Sequence, residues 1–248
     1  LVGLAIGTVR LANTLDARRS LEAELLGEGQ GALLARRGEL ERRLRDHPEL
    51  APGAARAFAK LGDREEAFVV SRALVGEEQD PEVRSVLLAA AVAPGSSSDV
   101  VARRESALLA LASAHDPQAS PLALAALEDR ETVANVRAAG AFALASDAEH
   151  APPGALDAAR AVAASPAEDA HLRAEALHLI AAAALPQDRS LADAALADTS
   201  APPELALAAA RLALVTGEDR TTVAAALATR EDPHGLCAAA AKTLGGAP

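Results

Sequence analysis

Residues 136–145 read VRAAGAFALA, and the same ten-residue pattern returns as RRESALLALA from Arg103, LRAEALHLIA from Leu172, LALAAARLAL from Leu205 and LCAAAAKTLG from Leu236. The start-to-start spacings are 33, 36, 33 and 31 residues. A period in this range marks a stacked-repeat array, in which each unit is too small to bury its own apolar face and leans on its neighbours. The fifth slot holds Ala107, Gly140, Ala176, Ala209 and Ala240, and the ninth holds Leu111, Leu144, Ile180, Ala213 and Leu244. Slots one, five and nine share one stripe of a helix. A small residue at its middle lets a neighbouring helix approach, and a large one beyond it locks the layer. GAARAFAKLG from Gly53 fits this frame through Ala57 and Leu61, whereas VRSVLLAAAV from Val83 puts Leu87 in the small slot.

Composition points the same way. Of 248 residues, 67 are alanine; Met, Trp and Tyr are absent, and the only aromatics are Phe58, Phe68 and Phe142. Alanine has the best helix propensity, while strands favour β-branched and aromatic side chains. The chain is therefore expected to be all-α. Shorter helices are predicted between the blocks at 64–75, 120–129, 154–164, 188–197 and 219–229, so that each unit is helix–turn–helix. Asp80-Pro81, Asp116-Pro117, Ser120-Pro121, Ser165-Pro166 and Asp232-Pro233 read as capped helix starts. Gly62 and Gly217 suit helix ends. One interval is short: Val83 to Arg103 spans 20 residues and contains Pro94-Gly-Ser-Ser-Ser98. It implies either an inserted third helix or a local exchange of helix roles.

Residues 1–50 stand apart from the array over 51–248. They open with the apolar run Leu1-Val-Gly-Leu-Ala-Ile-Gly-Thr-Val9, followed by Arg10, Arg18 and Arg19. Nine apolar residues do not cross a bilayer, which takes about twenty. The run reads either as an amphipathic first helix that caps the array or as the end of a signal anchor. The first places the protein in the cytoplasm; the second tethers it to a membrane on the periplasmic side. Charged helices follow, with Leu33, Leu40 and Leu44 on one face, Glu39–Arg43 and Glu41–Arg45 at ion-pair spacing, and a break at Gly27-Glu-Gly-Gln-Gly31.

DPEVRSV from Asp80, ANVRAAGA from Ala134 and the closing Leu61-Gly-Asp63 resemble the HEAT-repeat superfamily, in the short bacterial form also found in phycobilin lyase-type repeats. The resemblance covers about residues 51–246. It implies a right-handed α-α superhelix of about six units whose second helices line a concave, protein-binding face. HEAT-like metal hydroxylases carry repeated His-Glu pairs, and this chain has no His-Glu dipeptide. HEAT-like DNA glycosylases imply a basic, aromatic-bearing face, which is also missing.

The net charge of −11 and the scarcity of aromatics argue against a nucleic-acid partner, since neither a basic stripe nor a stacking platform is present. Arg84, Arg104, Arg137 and Arg173 share the second slot, often after Asp or Asn, and are expected to form a structural ladder with carboxylates or carbonyls of adjoining turns. His171, Glu175 and His178 share one helical face. His171 and His178 lie two turns apart, about 10 Å at 1.5 Å per residue, which is poor for one metal ion. They are expected to form a polar stripe facing a partner. Cys237, the only cysteine, stands in an alanine-type slot and reads as an inert buried thiol. No catalytic residue, metal or cofactor is assigned. The expected function is a non-catalytic scaffold that binds a protein partner. The competing readings are a lyase-type subunit acting on a protein-bound chromophore and a membrane-tethered assembly factor.

Overall fold

In a computed structural model of the chain, residues 2–27, 32–62, 64–230 and 232–245 are described. Those residues are all-α: fifteen α-helices joined by short turns and 3₁₀ segments, with no strand among them. They form two compact units, Leu1–Ala119 and Ser120–Pro248. The division falls at the start of the helix Ala119–Glu128. Residues 28–31 of the expected glycine break, and Asp63 of the Leu61-Gly-Asp motif, lie outside the described residues.

The first unit contains α1 (Val2–Gly27), α2 (Ala32–Ala35), α3 (Arg37–Asp46), α4 (Ala51–Phe58), α5 (Arg64–Ala73), α6 (Pro81–Ala91) and α7 (Ser98–Ser113). Helix α1 packs along α4, and α3 against α5. The approach of α1 is close enough that a Cβ on Gly53 would overlap the Arg18 carbonyl. Leu21, Leu25, Leu33, Leu40 and Leu44 are buried, so the N-terminal helices complete this unit's core. Among the described residues no helix is long and apolar enough to cross a membrane. The expected Glu39–Arg43 and Glu41–Arg45 pairs do not form. Glu39 pairs with Arg36, Glu41 with Arg37, and Arg43 crosses to Glu24 on α1. A partly shielded carboxylate on another helix holds Arg43 better than a solvated one on its own.

Helices α4 and α5 form one hairpin and α6 and α7 another; α4 stacks on α6, and α5 on α7. The short interval after Val83 is therefore an exchange of roles. The Gly53 and Val83 patterns lie on first helices of their hairpins, and the Arg103 pattern lies on a second helix. Both kinds of helix can carry the same pattern because both pack against a neighbouring backbone.

The second unit contains α8 (Ala119–Glu128), which opens at its boundary, then α9 (Ala134–Ser146), α10 (Ala155–Ala164), α11 (Ala170–Ala183), α12 (Arg189–Ala197), α13 (Pro203–Val215), α14 (Arg220–Ala228) and α15 (Leu236–Leu244). The second helices α9, α11 and α13 stack in succession, while α10, α12 and α14 pair with α11, α13 and α15. Ala176 and Ala209 are fully buried, as are Leu144, Ile180 and Ala213. At Gly140 an added Cβ would sit 2.6 Å from the Ala123 carbonyl oxygen, so α8 and α9 meet backbone to backbone. Asp80, Asp169 and Asp219 cap α6, α11 and α14 through their side chains. Gly217 takes the left-handed conformation that ends α13, with φ 98°.

Three local expectations are corrected. Ser120-Pro121 lies inside α8, because Asp116 already takes the Gln118 N–H ahead of it. Ser165-Pro166 closes α10, and the cap of the next helix is Asp169. The pattern from Leu236 is out of register by one residue. Leu236 is 50% exposed, while Cys237 and Ala241 are buried. Left-handed Gly235 precedes α15, and Asp232 accepts the Cys237 N–H at 2.6 Å, which turns Cys237 inward as the first stripe residue.

Candidate functional site

The second-slot arginines belong to the architecture. Arg84 makes a two-pronged contact with Asp116, Nε to Oδ2 at 2.6 Å and Nη2 to Oδ1 at 3.1 Å. Burial pushes the Asp116 carboxyl up, but Arg84 and the Gln118 N–H outweigh it and hold the group below its usual range. Arg137 donates from Nε to the Leu127 carbonyl at 3.1 Å and from both Nη atoms to Glu168 at 2.7 and 3.0 Å. Arg173 reaches the Ala163 carbonyl at 3.3 Å, the same ten-residue step backward. Each of these guanidiniums joins its helix to an adjoining turn or helix end. On α7 the rung is made by Arg103, which donates to the Leu61 carbonyl at 2.5 Å and to Asp99 at 2.9 Å. Arg104 is half-buried beside it.

Two further rungs escaped the sequence reading. Arg160 grips Asp188 at 2.7 and 3.0 Å, and Arg230 donates to the carbonyls of Ala195 and Leu196 at 3.0 and 2.8 Å. Their signal in the sequence was weak, because neither occupies the second slot of the repeating pattern.

The polar stripe of α11 behaves differently. His171 is exposed in the first turn, where its backbone N–H is taken by Asp169. It does not join the other two: no group of three potential metal ligands is assembled among the described residues. Glu175 and His178 are half-buried and line one pocket with Arg211 of the next layer. Arg211 Nη1 stands 3.5 Å from His178 Nδ1. A guanidinium only donates, so in this contact Nδ1 can serve only as an acceptor. Burial lowers the pKa of His178; Glu175 opposes that effect and Arg211 reinforces it, so the ring is neutral near pH 7.

Glu175 occupies the fourth slot, where the stacked helices otherwise place buried Ser106, Ala139 and Ala208. Its Oε2 is buried and has no hydrogen-bond partner. A carboxylate in a column of small side chains, with an acceptor left unanswered, breaks the local packing rule. Beside it the seventh slot of three successive second helices carries Phe142, His178 and Arg211. Phe142 is 49% exposed, whereas Phe58 is fully buried. With Ala145, Ser146 and Ala182 these groups line a pocket of about 260 Å³. Neither Phe142 nor Arg211 was singled out as a site residue from the sequence; their recurrence in one slot with His178 was the available signal.

Two other hollows are lined by groups that already answer one another. One, of about 560 Å³, includes Arg137 and Glu168, and the other, of about 440 Å³, includes Arg37 and Glu41. Cys237 is fully buried, and burial, with Asp232, pushes its thiol up, which keeps it unreactive. Comparison of the chain with protein families, curated proteins and solved structures gave no match.

Proposed function

We propose that this protein is a non-catalytic interaction scaffold of HEAT-like repeats, and that it recognises a protein partner on the outward face of its second helices. The observation that carries this reading is the seventh-slot column. The stripe of slots one, five and nine is consumed by helix packing, and three of the four second-slot arginines hold turns or carbonyls. Phe142, His178 and Arg211 do neither job, yet they stand in register on α9, α11 and α13. Aromatic and arginine side chains are the types enriched in protein interfaces, where a few of them carry most of the binding energy. A repeat array presents such residues at fixed spacing along a face much longer than one site.

The test is affinity capture from the native host with the intact chain and with a Phe142→Ala/Arg211→Ala double variant. A protein retained by the first and lost by the second is the expected result. An identical set of retained proteins in both samples refutes the assignment of this face.

A further inference from the structure

The geometry points to the α9–α11–α13 pocket as a receptor for an arginine side chain of the protein partner. Glu175 anchors the guanidinium and Phe142 gives it an aromatic face. This rests on the scaffold reading and deepens it. Three observations combine. Glu175 Oε2 is a buried acceptor without a donor. Removing a carboxylate from water is unfavourable unless a cation or donor answers it. Arg211 lines the same pocket, but it is exposed and donates to His178, not to Glu175. Burial favours the neutral form of His178, so the positive charge lining the pocket is that of Arg211.

The chemistry of the pocket selects the occupant. A guanidinium is planar, matches a carboxylate through two parallel donors and stacks on an aromatic ring, whereas an ammonium does only part of this. Phe142 lines the pocket with its ring half exposed. Arg211, which has no carboxylate partner among the described residues, is then placed to donate to main-chain carbonyls flanking the inserted arginine. The net charge of −11 adds a long-range attraction for a basic segment.

The substitution Glu175→Ala separates this role from a structural one. Alanine already fills the equivalent slot as Ala139 and Ala208, so the variant should fold. A residue kept for a ligand is expected to weaken the empty protein. Glu175→Ala should therefore raise the melting temperature, by about 2 °C or more. The binding arm uses acetyl-Gly-Arg-Gly-amide and its neutral citrulline counterpart, titrated into the intact chain and followed by the NMR signals of Phe142 and His178. The arginine peptide is expected to bind at least about tenfold more tightly, the difference made by a hydrogen bond to a charged group. Glu175→Ala should erase that preference.

A lower melting temperature for Glu175→Ala would overturn the proposal, as would equal binding of the two peptides. Arg211→Ala should leave melting unchanged; a fall matching a loss of stability in Glu175→Ala would make Arg211 the internal counter-ion, and no receptor would remain. Free L-arginine binding more tightly than the peptide would also overturn it, since the ligand would then be a small molecule. The two levels fail separately. A captured protein that survives Glu175→Ala but not Phe142→Ala keeps the scaffold and removes the receptor. Peptide binding that depends on Glu175, with no captured protein, does the reverse.

Discussion

Arg137 and Glu175 are both half or wholly withdrawn from water, both stand on second helices of the same unit, and they have opposite fates. Arg137 is 5% exposed, and its guanidinium meets one carbonyl and both oxygens of Glu168. Glu175 lies one layer on, and its buried Oε2 has no hydrogen-bond partner. A buried charge that is fully answered ties turns to helices and rigidifies the repeat. One left without a hydrogen bond costs stability until water or a ligand answers it. The contrast separates the residues that build this array from those that it displays.

The largest expected effect comes from breaking the answered side. Arg137→Ala strands Glu168 and the Leu127 carbonyl, and should destabilise the chain by about 3 kcal/mol in urea unfolding, the usual loss when one partner of a buried pair is removed. A loss similar to that of a surface substitution would dissolve the distinction between ladder and pocket. Next comes the packing that aligns them. Gly140→Leu and Ala176→Leu should each destabilise by about 1–3 kcal/mol through overpacking, Gly140→Leu the more, since its Cβ would press on the Ala123 carbonyl at 2.6 Å. Unchanged melting of both variants would mean that the fifth slot is not where the helices meet.

Acid titration sharpens the comparison further. The Asp116 carboxyl is held below its usual value by Arg84 and the Gln118 N–H against the effect of burial. A depressed carboxylate contributes stability above its unfolded pKa and loses it as pH falls through the folded value. The stability gap between the parent chain and Asp116→Asn should thus be constant above pH ~5 and close as the solution is acidified below the ordinary value of about 4. A gap that widens on acidification would contradict the pairing. The smallest effect is expected in the pocket: Arg211→Ala should change stability by less than about 0.5 kcal/mol, as for an exposed side chain without a carboxylate partner.

Much of this was legible before the fold was known. The thirty-odd-residue recurrence located every second helix from Arg103 onward, and alanine content set the all-α class, because both depend on local propensity and on a helical stripe. Three arginines of the ladder, Arg84, Arg137 and Arg173, were visible by their shared slot. Their acids were less so, since Asp116 and Glu168 stand 32 and 31 residues further on and are brought close only by stacking. The final register slip at Cys237 was hidden because alanines on both sides of the stripe look alike, and a capping bond from Asp232 chose between them. The ion pairs of α3 were misread because Glu24 arrives from another helix.

By itself the sequence determined that the chain coils into short helices and that these helices must lean on one another, because period, alanine content and turn residues act within a few residues of themselves. Only the tertiary structure decided which helices are first and which second in the Leu1–Ala119 unit, which acid answers which arginine, and that Phe142, Glu175, His178 and Arg211 share one pocket. Those outcomes depend on contacts between residues thirty or more positions apart, and a side chain's neighbours at that distance are set by how layers stack and not by the chain that carries it.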